Sequence, residues 1–168
     1  MHSELGRHDE AEVILRDDLE VLRRVLGPEH PMTLKTMVWL SSLYHSQGRS
    51  EEARSFEIEL LKARKSAAER SDPSARPKNR YAWELLTSTS EDLRDPEEAL
   101  KFALKANEMT GYENPGYLDT LALAYQLSGQ IPRAIETQKK ALSFLPENAP
   151  GRDGYEERLA EFEAALGN

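Results

Sequence analysis

The sequence predicts an all-α fold of antiparallel helix pairs stacked side by side, and three observations predict it. A Gly-to-Ala spacing recurs at Gly6…Ala11, Gly48…Ala53 and Gly129…Ala134, each copy opening an amphipathic segment. From Gly6 to Gly48 is 42 residues, and a fixed period of that size marks repeated supersecondary units. Strand signals are nearly absent: apolar residues recur near every 3.6 positions, with turn residues roughly every 14 to 20.

Each element follows from local residues. Helix one is expected from about His8 to Leu26, with Val13, Leu15, Leu19, Leu22 and Leu26 as apolar positions. Gly27-Pro28 stops it, because Gly takes the left-handed cap and Pro has no donor. Pro31 starts helix two, which runs to about Gln47 and carries Leu34, Met37, Val38, Leu40, Leu43 and Tyr44. Gly48 makes a tight turn, Ser50 is a cap, and helix three spans about Glu51 to Arg70. The irregular stretch Ser71 to Pro77 is the hinge candidate. Helix four covers about Lys78 to Ser88, and a polar loop, Thr89 to Arg94, follows. Asp95-Pro96-Glu97-Glu98 is a helix start with cap, proline and capping-box acid, and helix five reaches about Thr110. Asn114-Pro115 opens helix six, Gly129 closes it, and helix seven spans about Pro132 to Leu145. A last helix, about Asp153 to Leu166, puts Tyr155, Leu159, Phe162 and Leu166 on one stripe, as a lid over the final apolar face.

Composition narrows the function. The 168 residues are one domain's worth, 39% hydrophobic and 31% charged. A net charge of −8 argues against a nucleic-acid or membrane-surface binder. No Cys is present, so disulfides and thiolate metal sites are excluded. No apolar run approaches membrane-spanning length and the polar start is no signal peptide, so the expected location is cytoplasmic. The four histidines, His2, His8, His30 and His45, show no metal-ligand spacing. Asp17-Asp18 and Glu51-Glu52 read as solvated helix charges, and no nucleophile elbow or phosphate loop occurs. Neither an enzyme nor a cofactor is expected.

The segment NPGYLDTLALAYQLSGQIPRAIETQKKALSFLP, from Asn114, resembles the 34-residue tetratricopeptide repeat. Leu118, Leu121, Ala122 and Tyr125 stand at the family's spacing, with Gly129, Ala134, Ala141 and Pro146 completing it; Gln138 replaces the usual aromatic. The segment VLGPEHPMTLKTMVWLSSLYHSQGRSEEA is similar to the longer repeat of kinesin light chains, with the GPEHP link, Leu40, Tyr44, Gly48 and Ala53. Tyr81 to Leu166 also resembles the repeat-rich tails of some bacterial serine/threonine kinases, without any kinase element. The resemblance implies a right-handed α-α superhelix with a C-terminal capping helix. Its parts would be 1–30 a half repeat, 31–75 a repeat, 76–113 a repeat with a long internal loop, 114–148 a repeat and 149–168 the cap. The chain then begins at the last turn of a first helix, leaving helix one without its partner. A fragment of a longer solenoid, or a second chain covering the face, is the expectation.

The same resemblance implies a concave groove lined by the first helix of each pair. Carried onto this sequence, it offers Lys35, Val38, Trp39, Ser42 and His45 in helix two, and Arg76, Asn79, Arg80, Trp83 and Leu86 in helix four. Helix six offers Asp119, Thr120, Leu123 and Gln126. Aromatic rings beside cationic and amide groups suit an extended peptide. Seven basic residues between Lys62 and Arg80, against Glu69 and Asp72, make the expected partner an acidic peptide. The expected function is protein–protein interaction in that groove. The alternatives are self-association through helix one, giving a homo-oligomer, and a regulatory tail of a larger bacterial signalling protein.

Overall fold

A computed structural model of the chain describes residues 2–70 and 74–167. Among these residues eight α-helices follow one another: α1 (His2–Leu26), α2 (Pro31–Ser46), α3 (Ser50–Glu69), α4 (Arg76–Thr87), α5 (Pro96–Met109), α6 (Pro115–Leu127), α7 (Ile131–Ser143) and α8 (Arg152–Leu166). No strand occurs among the described residues. The fold is all-α, as the 3.6-residue periodicity requires.

Local chemistry sets the boundaries. His30 caps α2: its Nδ1 accepts the Met32 N–H at 3.2 Å, and Pro31 takes the first turn. Asp95 does the same for α5, accepting from the Glu98 N–H at 2.9 Å, and Asn114 for α6, accepting from the Tyr117 N–H at 3.1 Å. Gly48 and Gly129 sit at φ 73° and 74°, in the left-handed region that a Cβ resists. Gly6, expected at a third such turn, lies inside α1, which begins earlier than its apolar pattern does. One helical Gly costs about 1 kcal/mol, and the long flanking helical run absorbs it. Ser50 is the first residue of α3 rather than its cap; the Ala53 N–H bonds to the Arg49 carbonyl at 3.1 Å, which puts Arg49 at the cap. The polar loop after α4 contains a short 3₁₀ turn, Glu91–Leu93. Of the hinge candidate, residues 71–73 lie outside the described residues, and Arg76 and Pro77 already belong to α4.

The chain forms two compact units, residues 1–67 and 68–168. In the first, α1, α2 and α3 bury Leu19, Leu34, Met37, Leu40, Tyr44, Ala53 and Leu60, with Leu15, Val38, Phe56 and Ala63 packed against them. Tyr44 and Phe56 stack with centroids 5.8 Å apart. In the second, α4 packs on α5, α5 on α6, α6 on α7 and α7 on α8. Ala122, Ala134 and Phe162 form one cluster there, and Tyr81 meets Phe102 edge-on at 4.9 Å. Ala53, Ala122, Ala134 and Ala141 are all fully buried. Small side chains at these points let paired helices approach closely, and a larger one would overpack. α8 lays Phe162 into the second unit, as a capping helix does.

Candidate functional site

In the first unit the candidate residues share one stripe of α2. Lys35, Trp39, Ser42 and His45 follow at spacings of four, three and three, which a helix places on one side. Lys35 and Ser42 are exposed, and Val38 is half-buried at the stripe's edge. Trp39 is 46% exposed, and the Lys35 Nζ lies 4.7 Å from its ring centroid. That cation–π contact holds an indole in water instead of burying it. His45 closes the stripe: its Nε2 lies 3.1 Å from Glu57 Oε1, which also accepts from the Ser41 hydroxyl at 3.3 Å. His45 thus ties α2 to α3.

Behind the stripe lies a polar brace. The Tyr44 hydroxyl donates to Glu12 Oε1 at 2.8 Å and accepts from Arg16 Nε at 2.8 Å. Arg49 stacks on the Tyr44 ring at 4.3 Å and donates to Glu12 Oε2 at 2.5 Å and Glu52 Oε1 at 2.9 Å. The Arg49 bond holds the Glu12 carboxyl below its ordinary range, and burial pushes the Tyr44 phenol up. Of this brace, the local pairs are Glu12–Arg16, at i,i+4, and Arg49–Glu52, at i,i+3. The contacts of Tyr44 and Arg49 to α1 span 28 to 37 positions and have no local signature.

In the second unit the candidates fall on α4 and α6. Arg76 is exposed at the start of α4. Arg80 is ion-paired along the same helix, its Nε 2.8 Å from Glu84 Oε1. Asn79 is half-buried, and its Oδ1 is enclosed without a hydrogen-bond donor. Leu86 is buried, so it serves the core rather than the surface; Thr120 is buried too, its hydroxyl bonded to the Gly116 carbonyl at 3.1 Å. Leu123 and Gln126 are half-buried on α6, on the stripe that Asp119 begins.

Trp83 and Asp119 are joined by a residue outside the predicted set. Arg158 of α8 places its guanidinium 5.6 Å from the Trp83 ring centroid and pairs with the Asp119 carboxylate. The other Asp119 oxygen accepts from Gln138 Nε2 at 2.9 Å, and the same amide donates to the Tyr155 carbonyl at 3.0 Å. Gln138, where the resemblance implies an aromatic, is fully buried. A polar side chain there needs partners, and Asp119 with the start of α8 supplies them. Asp119 is therefore engaged in seating α8 on α6 and α7. Arg158 stands on the packing side of α8, three positions after Tyr155 and four before Phe162, and a charge on that stripe could have flagged it, but its target could not be read.

The arrangement offers aromatic planes, cations and amides. Among the described residues, no three His, Asp or Glu are placed to hold a metal ion. Nor is any helix among them long and apolar enough to cross a membrane.

Residues 1–66 match the family model described as a tetratricopeptide repeat. Among solved structures, the chain is similar to the nearly identical TPR-like repeats of a kinesin-light-chain-type protein of Podosopora anserina. Identity is 21% and TM-score 0.58, over 98% of this chain and 81% of that one. A glutamine-to-methionine variant of that protein matches at 20% identity and TM-score 0.60, with the same coverage. At such identity the likeness carries the fold alone. No curated protein matches the sequence.

Proposed function

We propose that this chain, whose residues 1–66 match the tetratricopeptide-repeat model, is a non-catalytic interaction module that docks a peptide or protein segment on the α2 stripe of its first unit, with the α4 and α6 residues of the second unit as a separate candidate surface. Tetratricopeptide repeats generally mediate protein–protein interaction, and the stripes supply a chemistry suited to it. The observation that carries the reading is Trp39, an indole nearly half exposed and held by Lys35. Indoles in this state are the residue type most enriched at binding hot spots, because they add large contact area at little entropic cost. Ser42 offers a hydroxyl beside it for a peptide backbone. Lys35 and Arg76 are exposed cations on the two units' stripes, which favours a partner bearing carboxylates. Trp83 offers a second ring, already steadied from one side by Arg158.

The test is selection of displayed peptides on the purified chain, followed by titration against the Trp39→Ala variant. Losing a hot-spot tryptophan is expected to weaken the selected peptides by roughly thirtyfold, about 2 kcal/mol. Equal binding by a variant of unchanged helical content would reject the α2 stripe.

Self-association is the competing reading, and one observation favours it. Val13, Ile14, Val21 and Val25 are 59%, 60%, 48% and 67% exposed along α1. The same face opposes a symmetric pair, however. Asp17 and Asp18 stand exposed in the middle of the row. In an antiparallel twofold contact centred there they would face their own copies, and like charges brought together cost affinity.

A further inference from the structure

On the side of α6 away from Asp119, Leu123 and Gln126, the second unit opens a cleft of about 210 Å³ between α6, α7 and the α5–α6 turn. Its floor is buried Leu118 and Leu121, and its walls are the half-buried rings of Tyr112 and Tyr125. α7 contributes the rim. Arg133 lies 5.8 Å from the Tyr125 ring centroid, and Lys140 lies 5.2 Å from that of Tyr112.

Three features set this cleft apart from ordinary packing. Tyr112, at φ 57°, is the one non-glycine residue in the left-handed region among those described. A bulky side chain there costs about 1–2 kcal/mol that Gly would not, and such outliers cluster where a fold places a group for use. The turn is built to hold it. The Tyr112 N–H donates to the Asn107 carbonyl at 2.9 Å, while the buried Asn107 amide donates to the Ala103 and Tyr117 carbonyls at 2.9 and 2.8 Å. Finally, donors remain: neither tyrosine hydroxyl has a hydrogen-bond partner and Lys140 has no ion pair among the described residues, while Arg133 donates one N–H to Gln130 Oε1 at 2.8 Å. Glu136 also lines the rim. Two cations against one carboxylate suit a ligand with a single negative charge, and a polyanion would meet Glu136.

We propose that this cleft binds a planar apolar group carrying one carboxylate, as found at a peptide C-terminus ending in an aromatic residue or in a small aromatic acid. The ring would lie on Leu118 and Leu121 between the tyrosines, and the carboxylate would meet Lys140 and a phenol hydroxyl. The site lies outside the α2, α4 and α6 stripes and does not depend on their assignment.

The probes are N-acetyl-L-phenylalanine, its amide, phenylacetate and inorganic phosphate, followed by NMR shifts of the Tyr112 and Tyr125 rings. Saturable binding of an aromatic acid with a Kd of roughly 1 mM, reasonable for so small a ligand, supports the proposal when the amide binds at least about tenfold more weakly. Tighter binding of N-acetylphenylalanine than of phenylacetate points to a peptide C-terminus, and the reverse to a small acid. Lys140→Met is expected to weaken binding about tenfold. Tyr112→Gly keeps the left-handed backbone and is expected to weaken binding similarly without loss of thermal stability. The proposal is overturned by no saturable shift, by equal binding of the amide, or by phosphate occupying the site as well as the acids do. It is also overturned if Tyr112→Gly loses stability yet binds unchanged, since Tyr112 would then be a packing residue.

Discussion

Replacing Asp119 by alanine tests how α8 is held. One Asp119 oxygen pairs with Arg158, and the other accepts from Gln138 Nε2 at 2.9 Å. The substitution strips both donors of their acceptor. Hydrogen bonds to a charged group contribute about 1.5–3 kcal/mol each. The Arg158 side chain retains 26% exposure, so water recovers part of its share. Gln138 is fully buried and keeps only the Tyr155 carbonyl for its amide. The expected loss is about 2–3 kcal/mol, or roughly 5–10 °C in Tm for a chain of this size. The assay is urea unfolding followed by Trp83 fluorescence in a Trp39→Phe background, so that the signal reports this unit. Asp119→Asn keeps an acceptor for Gln138 and should lose about half as much. Combining Asp119→Ala with Arg158→Ala should cost less than the sum of the two by about 1–2 kcal/mol. A loss below about 0.5 kcal/mol, or strict additivity, would show that the carboxylate does not seat the helix.

Three further outcomes are expected. Ala134→Leu should destabilise by about 1–3 kcal/mol in chemical denaturation, since Ala134 has no exposure and its neighbours leave no room. Gly48→Ala should cost about 1–2 kcal/mol although open space surrounds the site, because the strain lies in φ 73°. Below pH 4.5, the chain should lose stability through Glu12. Its folded-state pKa lies below that ordinary value, so its contribution is present above pH 4.5 and vanishes as pH falls through the lowered value. Glu12→Gln should therefore lower stability at neutral pH and flatten the acid limb of a melting-temperature profile.

What the sequence determined by itself was the helix inventory and the positions of closest approach. Helix starts and stops are local events: His30, Asp95 and Asn114 accept bonds from residues two or three positions on, and Gly48 and Gly129 take a backbone region that side chains resist. Buried alanines at Ala53, Ala122, Ala134 and Ala141 are readable because close packing leaves a period in the chain. The stripe on α2 is legible for the same reason, since helical geometry alone brings Lys35 over Trp39. Tertiary structure decided which polar groups remain free. Asp119 is a surface acid by spacing, yet Arg158, 39 residues away, occupies it. Gln138 is a departure from pattern until Tyr155 and Asp119 converge on it. Ring contacts and charge pairing act through space over a few ångströms, with no recurring period along the chain, so they exist only once the helices are packed.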